Sequence, residues 1–153
     1  MNEPRIENRS AFRVVGLHYR SKAGDEELPK LWERFMPRMD EVLERTESAI
    51  SYGVMWDFDE TEKMFNYLAG LAVAAEAPIP DGMKAVAVPE QEYAVFECTL
   101  PTLMEAIRYC YDEWLPSSEY KRAGGPEFEL YDQRFSLPEG KMEMSIWIPI
   151  ERK

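Results

Sequence analysis

Histidine is nearly missing from this chain: His18 is the only one in 153 residues. A Ser–His–Asp or Cys–His system would need that imidazole beside a nucleophile, and no G-x-S-x-G or comparable motif supplies one. Cysteine is almost as scarce. Cys98 and Cys110 are too few for a disulfide framework, their spacing matches no zinc signature, and buried, reduced thiols are expected. A zinc site would need more His or Cys ligands, so no metal is expected. No cofactor is expected either: neither a P-loop nor G-x-G-x-x-G is present, and Ala123–Gly125 reads as a turn. No run approaches the roughly 18 apolar residues of a membrane span. The opening "MNEPRIENRS" has neither the apolar stretch nor the cleavage pattern of a signal peptide. Basic residues are outnumbered, 18 against 29 acidic, for a net charge of −11. Direct nucleic-acid binding is therefore not expected, because phosphates call for clustered Lys and Arg. These absences describe a soluble, cytoplasmic protein whose acidity either serves solubility or favours cationic ligands.

What is present is apolar content, 45% hydrophobic and 12% aromatic, enough at this length for one domain with a core of its own over residues 1–153. Ser10–Arg20 is rich in β-formers and reads as a strand. In "ELPKLWERFMPRMDEVLE", Leu28, Leu31, Trp32, Phe35, Met39, Val42 and Leu43 recur every three or four residues, an amphipathic helix. Pro37 predicts a kink or break in it. Ala49–Phe58 and Lys63–Glu76 read as two strands, although the alanines of the second also suit a helix. After the Pro/Gly punctuation at Ala77–Met83 the order returns. Lys84–Leu100 is strand-like, with Pro89 interrupting and Tyr93–Thr99 the stronger half. "TLMEAIRYCYDEWL" is a helix ended by Pro116, and Phe128–Phe135 and Lys141–Ile150 are two more strands. Strand–helix–strand–strand thus occurs twice, in halves of about 1–80 and 81–153. Gly16, Tyr52 and Leu71 match Val95, Phe128 and Trp147 at offsets of about 76 to 80 residues. The expectation is an α+β fold of two pseudo-symmetric β-α-β-β repeats, meeting in a central groove with helices behind the sheets. A seam between halves is a usual place for a small-molecule pocket.

Within that frame Glu129 stands out, set between Phe128 and Leu130 in what otherwise looks like a core strand. Pointing outward it is ordinary, because strands alternate faces. Pointing into a pocket it needs a partner. Along Phe128–Phe135, Glu129, Tyr131, Gln133 and Phe135 share a face. On the last strand Met142, Met144, Ile146, Ile148 and Ile150 form a core face, with Trp147 opposite. If the strands are neighbours, Glu129, Tyr131 and Trp147 come together. A carboxylate ringed by aromatics is a way to hold a lipophilic cation. Glu127 and Glu129 also form an acidic pair, but with so many acids pairs are inevitable. The nine methionines suit either an adaptable pocket or plain core.

Taken in order, "LPKLWERF", "SYGV", "FNYLAG", "YAVFECT", "WLPSSEY", "FELYDQRF" and the terminal "IWIPI" resemble the GyrI-like small-molecule-binding domain. The same module is the effector-binding domain of AraC- and MerR-type transcription regulators. The likeness runs from about Ile6 to Ile150. It implies a doubled βαββ fold whose groove takes hydrophobic, often cationic compounds, with Glu129 as its key polar group. It implies groove positions for Tyr131 and Trp147, and also for Trp56, Tyr67 and Phe96; Trp114 matches a signature residue. Because the chain starts and ends with the likeness, a DNA-binding half is expected to be absent. Three roles stay open: a stand-alone binder for sensing or sequestration, a hydrolase of strained cyclopropane-bearing genotoxins with Glu129 as general base, and a protein-interaction role such as gyrase protection or regulation through a partner. The residues point to no particular protein partner.

Overall fold

A computed structural model describes residues 3–22 and 25–153; Met1 and Asn2, which begin the stretch read as lacking a leader, lie outside them. The first unit runs β1 (Arg5–Arg9), β2 (Phe12–Lys22), α1 (Glu27–Phe35), β3 (Ser51–Asp59) and β4 (Met64–Val73). The second runs β5 (Lys84–Val88), β6 (Gln91–Thr99), α2 (Leu103–Tyr109), β7 (Tyr120–Arg122), β8 (Glu127–Tyr131) and β9 (Glu143–Arg152). The fold is α+β, with β-α-β-β present twice. All the strands belong to one antiparallel sheet in the order β1-β6-β9-β8-β3-β4-β2-β5, with β7 beside β9. The two halves are joined where β3 pairs β8, from Ser51↔Tyr131 to Met55↔Glu127.

The sheet is curled, and connection lengths show why. β1 ends at Arg9 and β2 begins at Phe12, yet they pair at opposite ends of the strand order. Likewise β5 ends at Val88 and β6 begins at Gln91. The three residue steps from one strand end to the next reach only about 10 Å, so the two ends of the sheet lie next to each other. The inner face of the curl is filled by Tyr52, Val54, Leu68, Tyr93, Val95, Phe128 and Trp147, all buried without help from a helix. The outer face carries both helices: Leu31 and Phe35 of α1 and Leu103 and Ala106 of α2 pack with Val15, Leu71, Phe96 and Ile146. With both faces covered, β4 is buried continuously from Tyr67 to Val73. This is why its sequence lacks alternation and reads partly like a helix.

Arg9 closes the inner core. Its guanidinium lies 3.8 Å from the Phe12 ring centroid and 5.2 to 5.7 Å from those of Tyr52, Phe128 and Trp147. It also donates to Tyr52 Oη at 2.7 Å. Arg9→Ala removes both the cation–π contacts and the apolar stem. It is expected to cost about 1–3 kcal/mol, read as a lower denaturation midpoint at an unchanged denaturant slope.

One local expectation holds and one changes. The first helix breaks as Pro37 predicts, passing into a 3₁₀ segment at Met36–Glu41. The strand expected over Phe128–Phe135 stops at Tyr131, because the Asp132 carboxylate caps a 3₁₀ turn by accepting from Arg134 N at 2.9 Å. Among the described residues, no helix is long and apolar enough to cross a membrane.

Candidate functional site

The two helices stand on the outer face of the sheet, on either side of the β3–β8 junction, and form the walls of a groove. This cavity of about 1160 Å³ is somewhat larger than a typical drug-sized site. One wall is Leu28, Trp32, Met36 and Met39; the other is Leu100, Leu103, Met104 and Ile107. The floor holds Met55, Tyr67, Leu71, Glu127, Glu129 and Tyr131. Five of the lining residues, Met36, Met39, Met55, Met64 and Met104, are methionines with unbranched, polarizable side chains, which can repack around different shapes.

Register puts the polar groups there. Residues directly opposed in an antiparallel pair share a face, so Glu129 shares its face with Gly53 on one side and Ile146 on the other. Tyr67, opposite Met55, crosses above Gly53 and donates its hydroxyl to Glu129 Oε1 at 2.7 Å. Tyr131 donates to the same oxygen at 2.7 Å. Trp32 Nε1–H of α1 donates to Tyr67 Oη at 2.9 Å, joining helix to floor. The Trp32 ring meets Tyr131 edge-on at 5.6 Å, and Tyr131 meets Phe135 edge-on at 4.9 Å. Glu129 is 7% exposed. Burial pushes its carboxyl up to about 6, against the pull of the two tyrosine hydroxyls, and the nearby Glu127 adds to the rise. Burial and then the Glu129 charge hold Tyr67 and Tyr131 well above the usual tyrosine range, so both stay protonated donors.

Glu129 Oε2 accepts no hydrogen bond from the described residues. It is not sealed in either, since the fully buried side-chain atoms without partners there are Gln91 Oε1 and Tyr93 Oη. The oxygen therefore opens on the cavity. Among the described residues no cluster of three or more His, Cys, Asp or Glu side chains has the arrangement of a metal site.

Of the residues expected at the groove, the structure brings Glu129, Tyr131 and Tyr67 together. It does not bring the others. Trp147 is paired with Phe128 and stacks on it at 5.3 Å, inside the curl and on the face away from Glu129. Trp56, opposite Asn66, lies on that same far face, its ring 5.8 Å from His18. Phe96 shares the helix-bearing face but is covered by Tyr109 and Trp114, with centroids at 6.1 and 5.9 Å, outside the cavity lining. Trp114 also stacks on Tyr120 at 5.9 Å and is a packing residue. Phe135 lines the cavity from the 3₁₀ turn. Sequence reasoning missed Trp32, read only as part of a helix stripe, and passed over Glu127. The signal for Trp32 was its place on the flank of that stripe, where a large ring with an N–H reaches past the core.

The model of the GyrI-like small-molecule-binding domain matches residues 2–151. The transcriptional regulator BrlR of Pseudomonas aeruginosa is 37% identical over 149 residues, 95% of this chain and 54% of BrlR, so the chain spans about half the length of that relative. The structure of SAV2435 bound to tetraphenylphosphonium superposes with a TM-score of 0.68 at 14% identity, covering 98% of this chain and 94% of that one. The C-terminal domain of EcmrR superposes with a TM-score of 0.69 at 12% identity, covering 99% and 98%. At these identities the two structures share the fold.

Proposed function

From the premise that the chain belongs to the GyrI-like small-molecule-binding domain family, we propose that it binds hydrophobic cations, with Glu129 as counter-charge and Trp32, Tyr67 and Tyr131 as walls. The observation that carries this reading is the open Glu129 Oε2. A buried carboxylate has one oxygen saturated by two tyrosines and the other turned to an apolar cavity. A cation there offsets the desolvation that now raises the carboxyl, and ring faces add to the attraction. BrlR, a regulator by name, supports a sensing role, in which occupancy is passed to a partner; sequestration uses the same site.

Tetraphenylphosphonium is the probe of choice, being aromatic, cationic and free of hydrogen-bond donors. Saturable quenching of tryptophan fluorescence is expected, carried by Trp32. Trp32→Phe should remove most of the ligand-dependent signal, and Trp56→Phe and Trp147→Phe should keep it. Calorimetry on the wild type showing no saturable heat would overturn the reading.

One observation favours a second role. A carboxyl near 6 with an open oxygen suits a general base on water. A binder returns its ligand with unchanged mass. A ring-opened alcohol recovered from a cyclopropane-bearing compound would instead establish hydrolysis.

A further inference from the structure

Glu127 is the second buried carboxylate of the groove floor, and the cation reading leaves it without a task. It is 4% exposed, two residues before Glu129 on the same face of β8. Its Oε2 accepts from Tyr111 Oη at 2.6 Å and faces Arg122 at 3.6 Å. Arg122 in turn donates to Tyr111 Oη at 3.0 Å. Tyr111 is carried by a π-helical turn, Cys110–Trp114, that continues α2; such turns recur at functional sites. Like Glu129 Oε2, the Oε1 of Glu127 accepts nothing from the described residues and is not among the sealed atoms. Each carboxylate therefore has one oxygen fixed by tyrosine and one open on the cavity that both residues line. Two residues along a strand, their backbones are about 7 Å apart.

We propose that the groove is a two-point site, preferring ligands with two N–H-bearing cationic groups at the ends of one flat apolar spacer, one group on each open oxygen of Glu129 and Glu127. Met55, opposite Glu127 on β3, and the Tyr131 and Trp32 rings would cover the spacer. This rests on the cation reading and narrows it: Glu129 takes any lipophilic cation, while Glu127 rewards a second N–H donor. Arg122 leaves Glu127 partly compensated, so the second contact is a charge-assisted hydrogen bond more than a full ion pair.

The test compares p-xylylenediamine with 4-methylbenzylamine, its counterpart with one ammonium group, by calorimetry on the full chain, with tetraphenylphosphonium as third probe. In the wild type the diamine is expected to bind at least about tenfold more tightly than the monoamine. In Glu127→Gln that ratio should fall to about twofold or less, and tetraphenylphosphonium, which offers no N–H, should lose less affinity than the diamine does. Glu127→Asp, which keeps the charge but withdraws it by one methylene, serves as a second variant should the first prove too unstable. Equal affinities in the wild type, or a diamine advantage that survives both variants, would overturn the two-point site. Tetraphenylphosphonium bound without discrimination between the amines overturns this inference alone. Discrimination without tetraphenylphosphonium binding overturns the reading of Glu129 as a site for any lipophilic cation and leaves the two-point site standing for N–H-bearing ones.

Discussion

Glu129→Gln is expected to make the protein more stable and to abolish tight cation binding at once. The amide is isosteric, and its oxygen can accept both tyrosine hydroxyls that now converge on Oε1, so the floor keeps its shape. What disappears is a buried charge. With the carboxyl at about 6 in the folded protein against an ordinary 4.5, the native state holds its proton more firmly than the unfolded chain does. Its stabilising contribution is therefore complete below about pH 4.5 and is lost as the pH rises through about 6. Above that, the ionised group costs the fold about 2 kcal/mol. At pH 8 the variant should melt roughly 4 to 8 °C higher than wild type, and near pH 4.5 the two should coincide. Tetraphenylphosphonium affinity should fall at least about 30-fold, the lower end for removing one partner of a buried charge pair. Thermal melts at the two pH values and calorimetry at pH 8 decide it. A variant destabilised equally at both pH values would mean that Glu129 is held by structure and carries no desolvation strain.

On the proposed reading, such opposition between stability and binding is what a carboxylate set between Phe128 and Leu130 is for. The doubled β-α-β-β order was legible because hydrophobic period and Pro/Gly punctuation are local signals. So was the presence of Glu129 and Tyr131 on one face, since alternation within a single strand needs no partner. The pairing of strands was not legible. Trp147 shares Glu129's face only in a register that differs by one residue, and that register is set by contacts remote in sequence. The observed pairing of Phe128 with Trp147 places the indole inside the curl. The contribution of the helices to the groove depends equally on tertiary packing, so their role as its walls was not legible either. β1, with the sequence "RIENR", has a charged edge-strand composition that carries little β signal. The pocket's apolar walls were written as ordinary helix stripes, which is why Trp32 passed for core.

Gly53 carries the least visible of these long-range constraints, and its replacement by alanine is expected to damage the site severely. In a strand interior glycine is normally a weakness of about 0.5–1 kcal/mol relative to alanine, so on local grounds the substitution should stabilise β3. The groove reverses that sign. A Cβ at position 53 would lie 2.1 Å from Tyr67 Oη, 2.7 Å from Tyr67 Cζ and 2.4 Å from Glu129 Oε1, inside the very hydrogen bond that crosses above it. The tyrosine ring must move, and Trp32 then loses its acceptor. Glu129 is left with Tyr131 as its tyrosine donor, so its carboxyl should titrate above the wild-type value. The expected result is a net loss of about 1–3 kcal/mol and at least a tenfold weaker grip on tetraphenylphosphonium. Denaturant melts, calorimetry and carboxyl NMR read these separately. Gly53→Ala combined with Tyr67→Phe separates positioning from packing. Removing the hydroxyl relieves the shortest contact and should recover part of the stability, whereas binding stays weak because the donor to Glu129 is gone. If Gly53→Ala alone keeps wild-type affinity and carboxyl titration, the Tyr67–Glu129 hydrogen bond does not organise the groove.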